Sequence, residues 1–264
     1  MKTGLCSVSL RNCTAEQIIE LVKKGGLDAI EWASNCHVPE GDIETAQRVA
    51  QLTRDAGLEV SSYGSYYKVL DPDGNIEPFA PFLESAQALG TDTIRLWAGH
   101  DPSDAISEPL REKLIAQLRE SAIAAEKVGI RLGLEFHANT LADSNYATEA
   151  LLDAVNHPNL YTYWQPVYWL TDPVYRMDGL KRLASRVLNM HVFYWQFRPG
   201  GDWGESTDRR PLEEATKDWQ TYFDVPLDSS YTHYALMEFV RDDCPEQFLR
   251  DAATLKAILD KAPA

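Results

Sequence analysis

Residues 110–135 read LREKLIAQLRESAIAAEKVGIRLGLE. Leu110, Leu114, Leu118, Ala122 and Ala125 recur at helical spacing and give one apolar face. Gly129 interrupts that pattern, and the short run IRLGLE follows at once. A glycine there supplies the left-handed residue that closes a helix and lets a strand begin within a residue or two. The same join recurs at KKGGLDAI, RDAGLEV and QALGTDTI, so the chain repeats a helix-to-strand unit. Along the chain, eight strand candidates alternate with amphipathic stretches: LCSVSL from residue 5, LDAIEW from 27, LEVSSY from 58, DTIRLW from 92, IRLGLE from 130, NLYTYW from 159, RVLNMH from 186 and HYALMEF from 233. Helix starts are marked too, by a capping-box pattern at Thr14 and Gln17 and by Asp172-Pro173, an N-cap followed by proline.

Eight successive βα units, with no Asn-Gly or Asp-Gly between apolar runs outside the loop DPDGN, predict an α/β fold of one domain over residues 1–264. The architecture that fits is the (β/α)8 TIM barrel, with the open doubly wound sheet as runner-up. Neither GxGxxG nor GxxxxGK[ST] follows the first strand, so no nucleotide cofactor is expected. Residues 198–231, opening on RPGGDWGES and containing the short helix candidate PLEEATKDWQTYF, predict an extended loop after strand 7.

Lys and Arg number 25 against 40 Asp and Glu, a formal net charge of −15. Nucleic acid is a poor partner for such a chain, because affinity for a phosphate backbone rests on cationic side chains. No apolar run approaches the roughly 18–20 residues of a membrane span, and MKTGLCSVSL lacks the regions of a signal peptide. A cytoplasmic protein with no membrane partner is expected. The four cysteines form no CxxC pair and read as free thiols.

A barrel of this kind builds its active site at the C-terminal strand ends. Glu31 and Trp32, Tyr63, Arg95 and Trp97, Glu135 and His137, Trp164 and Gln165, His191 and Glu238 close the predicted strands. Barrel strands are normally filled with Val, Ile and Leu, so carboxylates and a histidine at these ends need a purpose. Oxygen and nitrogen donors of this kind suit a divalent ion of intermediate hardness: Mn²⁺ foremost, or Mg²⁺, Co²⁺ or Zn²⁺. No cysteine is expected to join them. Trp32, Trp97, Trp164 and Trp195, with Tyr63, Tyr66 and Tyr67, offer aromatic faces to a small carbohydrate substrate. Arg95 and Arg198 could meet a phosphate or carboxylate.

These residues carry a resemblance. The runs GIRLGLEFHANT (129–140), HPNLYTYWQP (157–166), NMHVF (189–193) and ALMEFV (235–240), with NCHVPEGD and SYGSYYK earlier, resemble the sugar phosphate isomerase/epimerase family, the xylose-isomerase-like TIM barrels of the AP endonuclease family 2 superfamily. The resemblance implies that Glu135, His191 and Glu238 hold a divalent metal, with Gln165 standing where the family has an aspartate. Glutamine can ligate through its carbonyl oxygen, and the ligand charge becomes −2 where aspartate would give −3. The ion is then expected to be the stronger Lewis acid and to be held less tightly. The implied chemistry is proton abstraction beside a carbonyl through an enediolate, with Glu135 and Glu238 as acid and base. His37, Tyr63, Trp97, His137, Trp195 and Arg198 would contact the substrate.

Return of the proton gives an epimerase or isomerase of a ketose or keto-sugar. Loss of a β-leaving group gives a lyase acting on a 3-keto-glycoside with the same residues. An isomerase or dehydratase of a small carbonyl compound outside sugar chemistry, such as a keto-acid or cyclitol enzyme, is a separate alternative. An abasic-site endonuclease would need more metal ligands and a basic groove. A sugar-binding barrel that has lost its metal at Gln165 would bind sugar in the presence of a chelator. Barrels of this type are frequently homo-oligomers, and Trp203, Trp219, Tyr222 and Phe223 suit either a lid or an intersubunit contact.

Overall fold

The structure is a computed structural model, described for residues 1–167, 170–197 and 207–261. Seven parallel strands follow one another in chain order: β1 (Lys2–Cys6), β2 (Ala29–Ala33), β3 (Glu59–Gly64), β4 (Thr93–Leu96), β5 (Arg131–Glu135), β6 (Leu160–Trp164) and β7 (Val187–Val192). A two-stranded antiparallel hairpin, β8 (Tyr194–Phe197) with β9 (Thr207–Arg210), comes next. The last strand, β10 (Tyr234–Met237), pairs with both β7 and β1 and closes an eight-stranded barrel. Outside it lie α1 (Ala15–Gly25), α2 (Ile43–Asp55), α3 (Ala80–Leu89), α4 (Glu108–Glu126), α5 (Asn145–Val155), α6 (Pro173–Leu183), α7 (Thr216–Phe223) and α8 (Pro245–Leu259). No described helix is long and apolar enough to cross a membrane.

The local signals operate as read. Thr14 accepts from Gln17 N while the Gln17 side chain accepts from Thr14 N, so both halves of the capping box are made. Gly129 follows α4 with φ 73° and delivers the chain into β5. Two expectations are corrected. The first strand lies at Lys2–Cys6 instead of residues 5–10, because Ser7–Leu10 turns as a 3-10 helix and the Ser7 hydroxyl accepts from Ala33 N at 2.9 Å. The excursion after β7 is more than a loop, since it contains the β8/β9 hairpin as well as α7. Residues 198–206 between those strands lie outside the described residues, as does Trp203. Of the other surface aromatics, Trp219 and Tyr222 are buried against Trp164.

Side chains alternate across the barrel wall. Outward-facing Trp32, Tyr63, Ile94, Leu134, Trp164, Met190 and Met237 join the helices in the main apolar core. A second, small cluster of Cys6, Val8, Ala33, Tyr163, Leu188 and Leu236 fills part of the interior. The remaining interior is polar. Cys6 pairs in register with Glu31, Glu31 with Ser62, Gly64 with Arg95, Arg95 with Gly133, Glu135 with Tyr163, and Tyr163 with Asn189.

Two strand glycines make room for this interior. A Cβ on Gly64 would stand 2.7 Å from Glu31 Oε1 and 2.8 Å from Arg95 Nη2, and one on Gly133 would stand 2.5 Å from the Tyr163 ring. Gly64→Ala is therefore expected to cost roughly 1–3 kcal/mol, the usual penalty for overpacking. Urea denaturation of wild type and variant at neutral pH checks this, and unchanged stability would contradict it.

Candidate active site

The C-terminal end of the barrel interior is an ionic network with almost no access to water. Arg95, on β4, donates through Nε to Glu31 Oε1 at 2.9 Å and through Nη1 to Glu135 Oε2. Ser62 donates to Glu31 Oε2 at 2.7 Å, and the Trp97 indole N–H donates to Glu135 Oε2. Arg95, Glu31 and Glu135 are 1%, 1% and 2% exposed, so each charge must be met inside the protein. Burial works against the ionised carboxylates, yet the Arg95 guanidinium holds Glu31 and Glu135 below the usual carboxylate range. Burial likewise opposes the Arg95 charge, and Glu135 and Glu31 overcome it.

Beside this pair, four donors converge. Gln165 Oε1 lies 3.0 Å from His191 Nδ1, Glu238 Oε2 lies 3.3 Å from it, and Glu135 Oε1 lies 3.8 Å from it. Donors about 2.1 Å from a common ion stand about 3 Å apart when they are neighbours around it, so the spacing suits one small cation. The Gln165 amide is oriented for this role, because its Nε2 donates to the Phe136 carbonyl and turns Oε1 toward His191. Glu238 Oε2 is buried and has no hydrogen-bond donor among the described residues. Burial alone would lower the His191 pKa, but Glu238 and the neighbouring groups raise it well above the imidazole range. The cage thus stabilises added positive charge, and a divalent cation fits the donor set.

The sequence-predicted residues divide. Glu135, Gln165, His191 and Glu238 are brought together. Trp97 and His137 stand at their rim, stacked with centroids 4.1 Å apart. Trp195 packs against Phe239, next to Glu238. Tyr63 is corrected: it faces the helices, wholly buried, with its hydroxyl donating to the Val38 carbonyl at 2.9 Å. Trp32 and Trp164 are core residues for the same reason. His37 is corrected as well, because its ring nitrogens are spent on Ser7 Oγ and the Cys13 carbonyl, each at 3.0 Å, which ties the β2 loop to the β1 loop. Arg198 lies outside the described residues.

Two participants carried no assigned role in the sequence reading. Glu31 was visible there as a lone carboxylate in the apolar strand AIEWA. Cys6 was set aside, yet its sulfur lies with Glu31 Oε1 and His191 Nε2 in a second buried cluster. It does so because β1 starts early enough for Cys6 to close the strand. Burial and the Glu31 charge push its thiol pKa up, which keeps it protonated.

The xylose isomerase-like TIM barrel family matches residues 19–258. The chain belongs to that family. A 3-dehydroshikimate dehydratase from Bacillus anthracis is 29% identical over 261 residues, covering 90% of this chain and 91% of its own length. A solved structure from Bacillus anthracis, a probable 3-DHS dehydratase involved in petrobactin synthesis, superposes with a TM-score of 0.79 at 21% identity over 97% of this chain and 99% of that one. An IOLI protein with a bound zinc atom gives 0.75 at 15% identity over 100% of both chains. A D-allulose 3-epimerase from Methylomonas sp. gives 0.70 at 15% identity over 98% of this chain and 97% of that one. At these identities the structures share the fold.

Arg95→Met leaves Glu31 and Glu135 buried without their counter-charge. A loss of about 3–5 kcal/mol at pH 7 is expected, as for other broken buried pairs. In the folded wild type both carboxylate pKa values are depressed, so their contribution is complete above an unfolded value of about 4.3 and is lost as pH falls through the folded values. The deficit of the variant should therefore narrow as pH falls below about 4. Urea denaturation from neutral pH downward measures it, and a deficit independent of pH would contradict the assignment.

Proposed function

We propose that this xylose isomerase-like barrel is a divalent-metal-dependent lyase that removes a proton beside the carbonyl of a small polyhydroxylated ketone and expels the β-hydroxyl as water. The observation that carries this reading is the unequal state of the two carboxylates: Glu135 Oε2 is filled by Arg95 and Trp97, whereas Glu238 Oε2 has no hydrogen-bond donor among the described residues. Saturated in this way, Glu135 is suited to hold a metal through Oε1 and poorly suited to shuttle a proton. The 29% identical relative that is a dehydratase supports elimination.

Glu135, Gln165, His191 and Glu238 would hold the ion, with Mn²⁺, Mg²⁺, Co²⁺ or Zn²⁺ all compatible with their oxygen and nitrogen donors. When bound, it would polarise the substrate carbonyl and stabilise the enolate oxygen. His137 supplies the base. Its Nδ1 lies 2.7 Å from the Ala138 carbonyl, an acceptor, so the proton sits on Nδ1 and Nε2 offers a lone pair. Nε2 takes the α-proton, the C–H electron pair forms the new double bond, the β C–O bond breaks, and the imidazolium returns the proton to the departing hydroxide. Trp97 holds the His137 ring by stacking and orients Glu135 by its N–H, so one indole couples the base to the metal ligands.

A second reading is favoured by the placement of Glu135 and Glu238 around the same His191 nitrogen, which offers two carboxylates for epimerisation or isomerisation of a ketose. The same arrangement would serve a 3-keto-glycoside lyase. Incubation of the purified protein with 3-dehydroshikimate and with D-fructose, each with Mn²⁺ or with EDTA, separates the readings. Formation of an aromatic acid, read by ultraviolet absorbance, is expected with Mn²⁺, is lost with EDTA, and falls at least a hundredfold in His137→Gln. Epimerised or isomerised sugar without the aromatic product would overturn elimination.

A further inference from the structure

Among the described residues, the buried charges of the site are the carboxylates of Glu31, Glu135 and Glu238 and the guanidinium of Arg95. With a divalent ion in the cage they cancel, so any net charge offered to a substrate comes from the rim. Lys68 stands there. Its Nζ lies 4.5 Å from the centroid of the Trp97 ring and 3.4 Å from His100 Nδ1. Among the described residues it is in ion-pair contact with no carboxylate. The nearby Glu77 accepts from the Lys68 backbone N–H at 2.9 Å.

The backbone that presents Lys68 is held on several sides. Its carbonyl accepts from Gly99 N at 3.1 Å, joining the loops that follow β3 and β4. The next residue, Val69, is wholly buried at φ 75°, a conformation unfavourable for a β-branched side chain, and its carbonyl accepts from Glu77 N at 3.0 Å. Such strain persists only where the surroundings impose it, and it clusters at ligand clamps. Trp97 adds the second connection, since the indole under the ammonium also stacks on His137 and donates to Glu135. Lys68 is thereby fixed one indole ring away from the proposed metal ligands.

We infer that Lys68 is a specificity-determining residue and that the substrate carries a carboxylate, which the Lys68 ammonium grips while the carbonyl end of the molecule reaches the metal ligands. This inference rests on the elimination reading of the same site and narrows its substrate class from polyhydroxylated ketones to their acids. A carboxylate suits one ammonium. A phosphate dianion is usually met by several cationic or amide donors, and His100 adds no charge, because burial and Lys68 depress its pKa.

The test uses the purified protein with Mg²⁺ and two probes of the same ring, 3,4-dihydroxybenzoate and its uncharged methyl ester, with titration calorimetry as the readout. Wild type is expected to bind the acid about tenfold or more tightly than the ester. Lys68→Gln and Lys68→Met should abolish that preference with ester affinity unchanged within about twofold, and Lys68→Arg should keep it. Equal binding of acid and ester by wild type, or a preference that survives both neutral variants, would overturn the inference while leaving the elimination reading in place. Absence of binding by either probe also overturns it, and the turnover assay with 3-dehydroshikimate then decides whether the elimination reading falls too. Ribulose 5-phosphate binding more tightly than 3,4-dihydroxybenzoate would replace the carboxylate with a phosphate.

Discussion

The guanidinium of Arg95, clamped between Glu31 and Glu135 in the interior of the barrel, is the constraint around which the site is arranged. Three charges removed from water tolerate few placements, because each lost hydrogen bond leaves a buried ion exposed to a low-dielectric surrounding. The neighbouring strands conform to that demand. Gly64 and Gly133, in register with Arg95, leave the space a side chain would take, Ser62 caps the far oxygen of Glu31, and Trp97 shares the outer oxygen of Glu135. Glu135 consequently turns its other oxygen, Oε1, toward His191.

From that fixed point the donor set follows. Gln165 is oriented by the Phe136 carbonyl, and Glu238 is delivered by a backbone bond from its own N–H to the Val192 carbonyl at 3.0 Å, just before Phe239 turns with φ 53°. Gln165 brings an oxygen donor to the cage without adding a negative charge. A divalent ion held by two carboxylates and two neutral ligands is formally neutralised, with less ligand charge to dampen its pull on a carbonyl. In the proposed lyase, proton transfer would fall to His137, whose Nδ1 lies against the Ala138 carbonyl.

The barrel itself was legible because its signals are local: the capping box at Thr14, Asp172-Pro173, and glycines such as Gly129 act within a few residues of where they stand. The four convergent donors were legible because each closes a strand. Which side of the wall a residue takes was less so. Tyr63 and Trp164 sit at strand ends as plainly as Glu135 does, but they fall on the helix-facing side. Register shifts at Ile30/Glu31 and Thr162/Tyr163 disturb the pairing that would extend the alternation from one strand to the next. Cys6 was lost to the apolar residues Val8 and Leu10, which prolong the strand pattern into a 3-10 turn. The roles of Glu31 and Lys68 depend on neighbours distant in sequence, Arg95 for one and Trp97 for the other, and no local pattern announces either.

The proposed divalent-metal site is the one made by Glu135, Gln165, His191 and Glu238. Elemental mass spectrometry of the purified protein, beside the Glu135→Gln/Glu238→Gln double variant and after incubation of both with Mn²⁺ and desalting, tests it most directly. Near-stoichiometric Mn, Mg, Co or Zn in the wild type and none in the variant is the result the geometry predicts. Absence of metal from both would contradict it, and would leave Gln165 as the mark of a cage that no longer holds an ion.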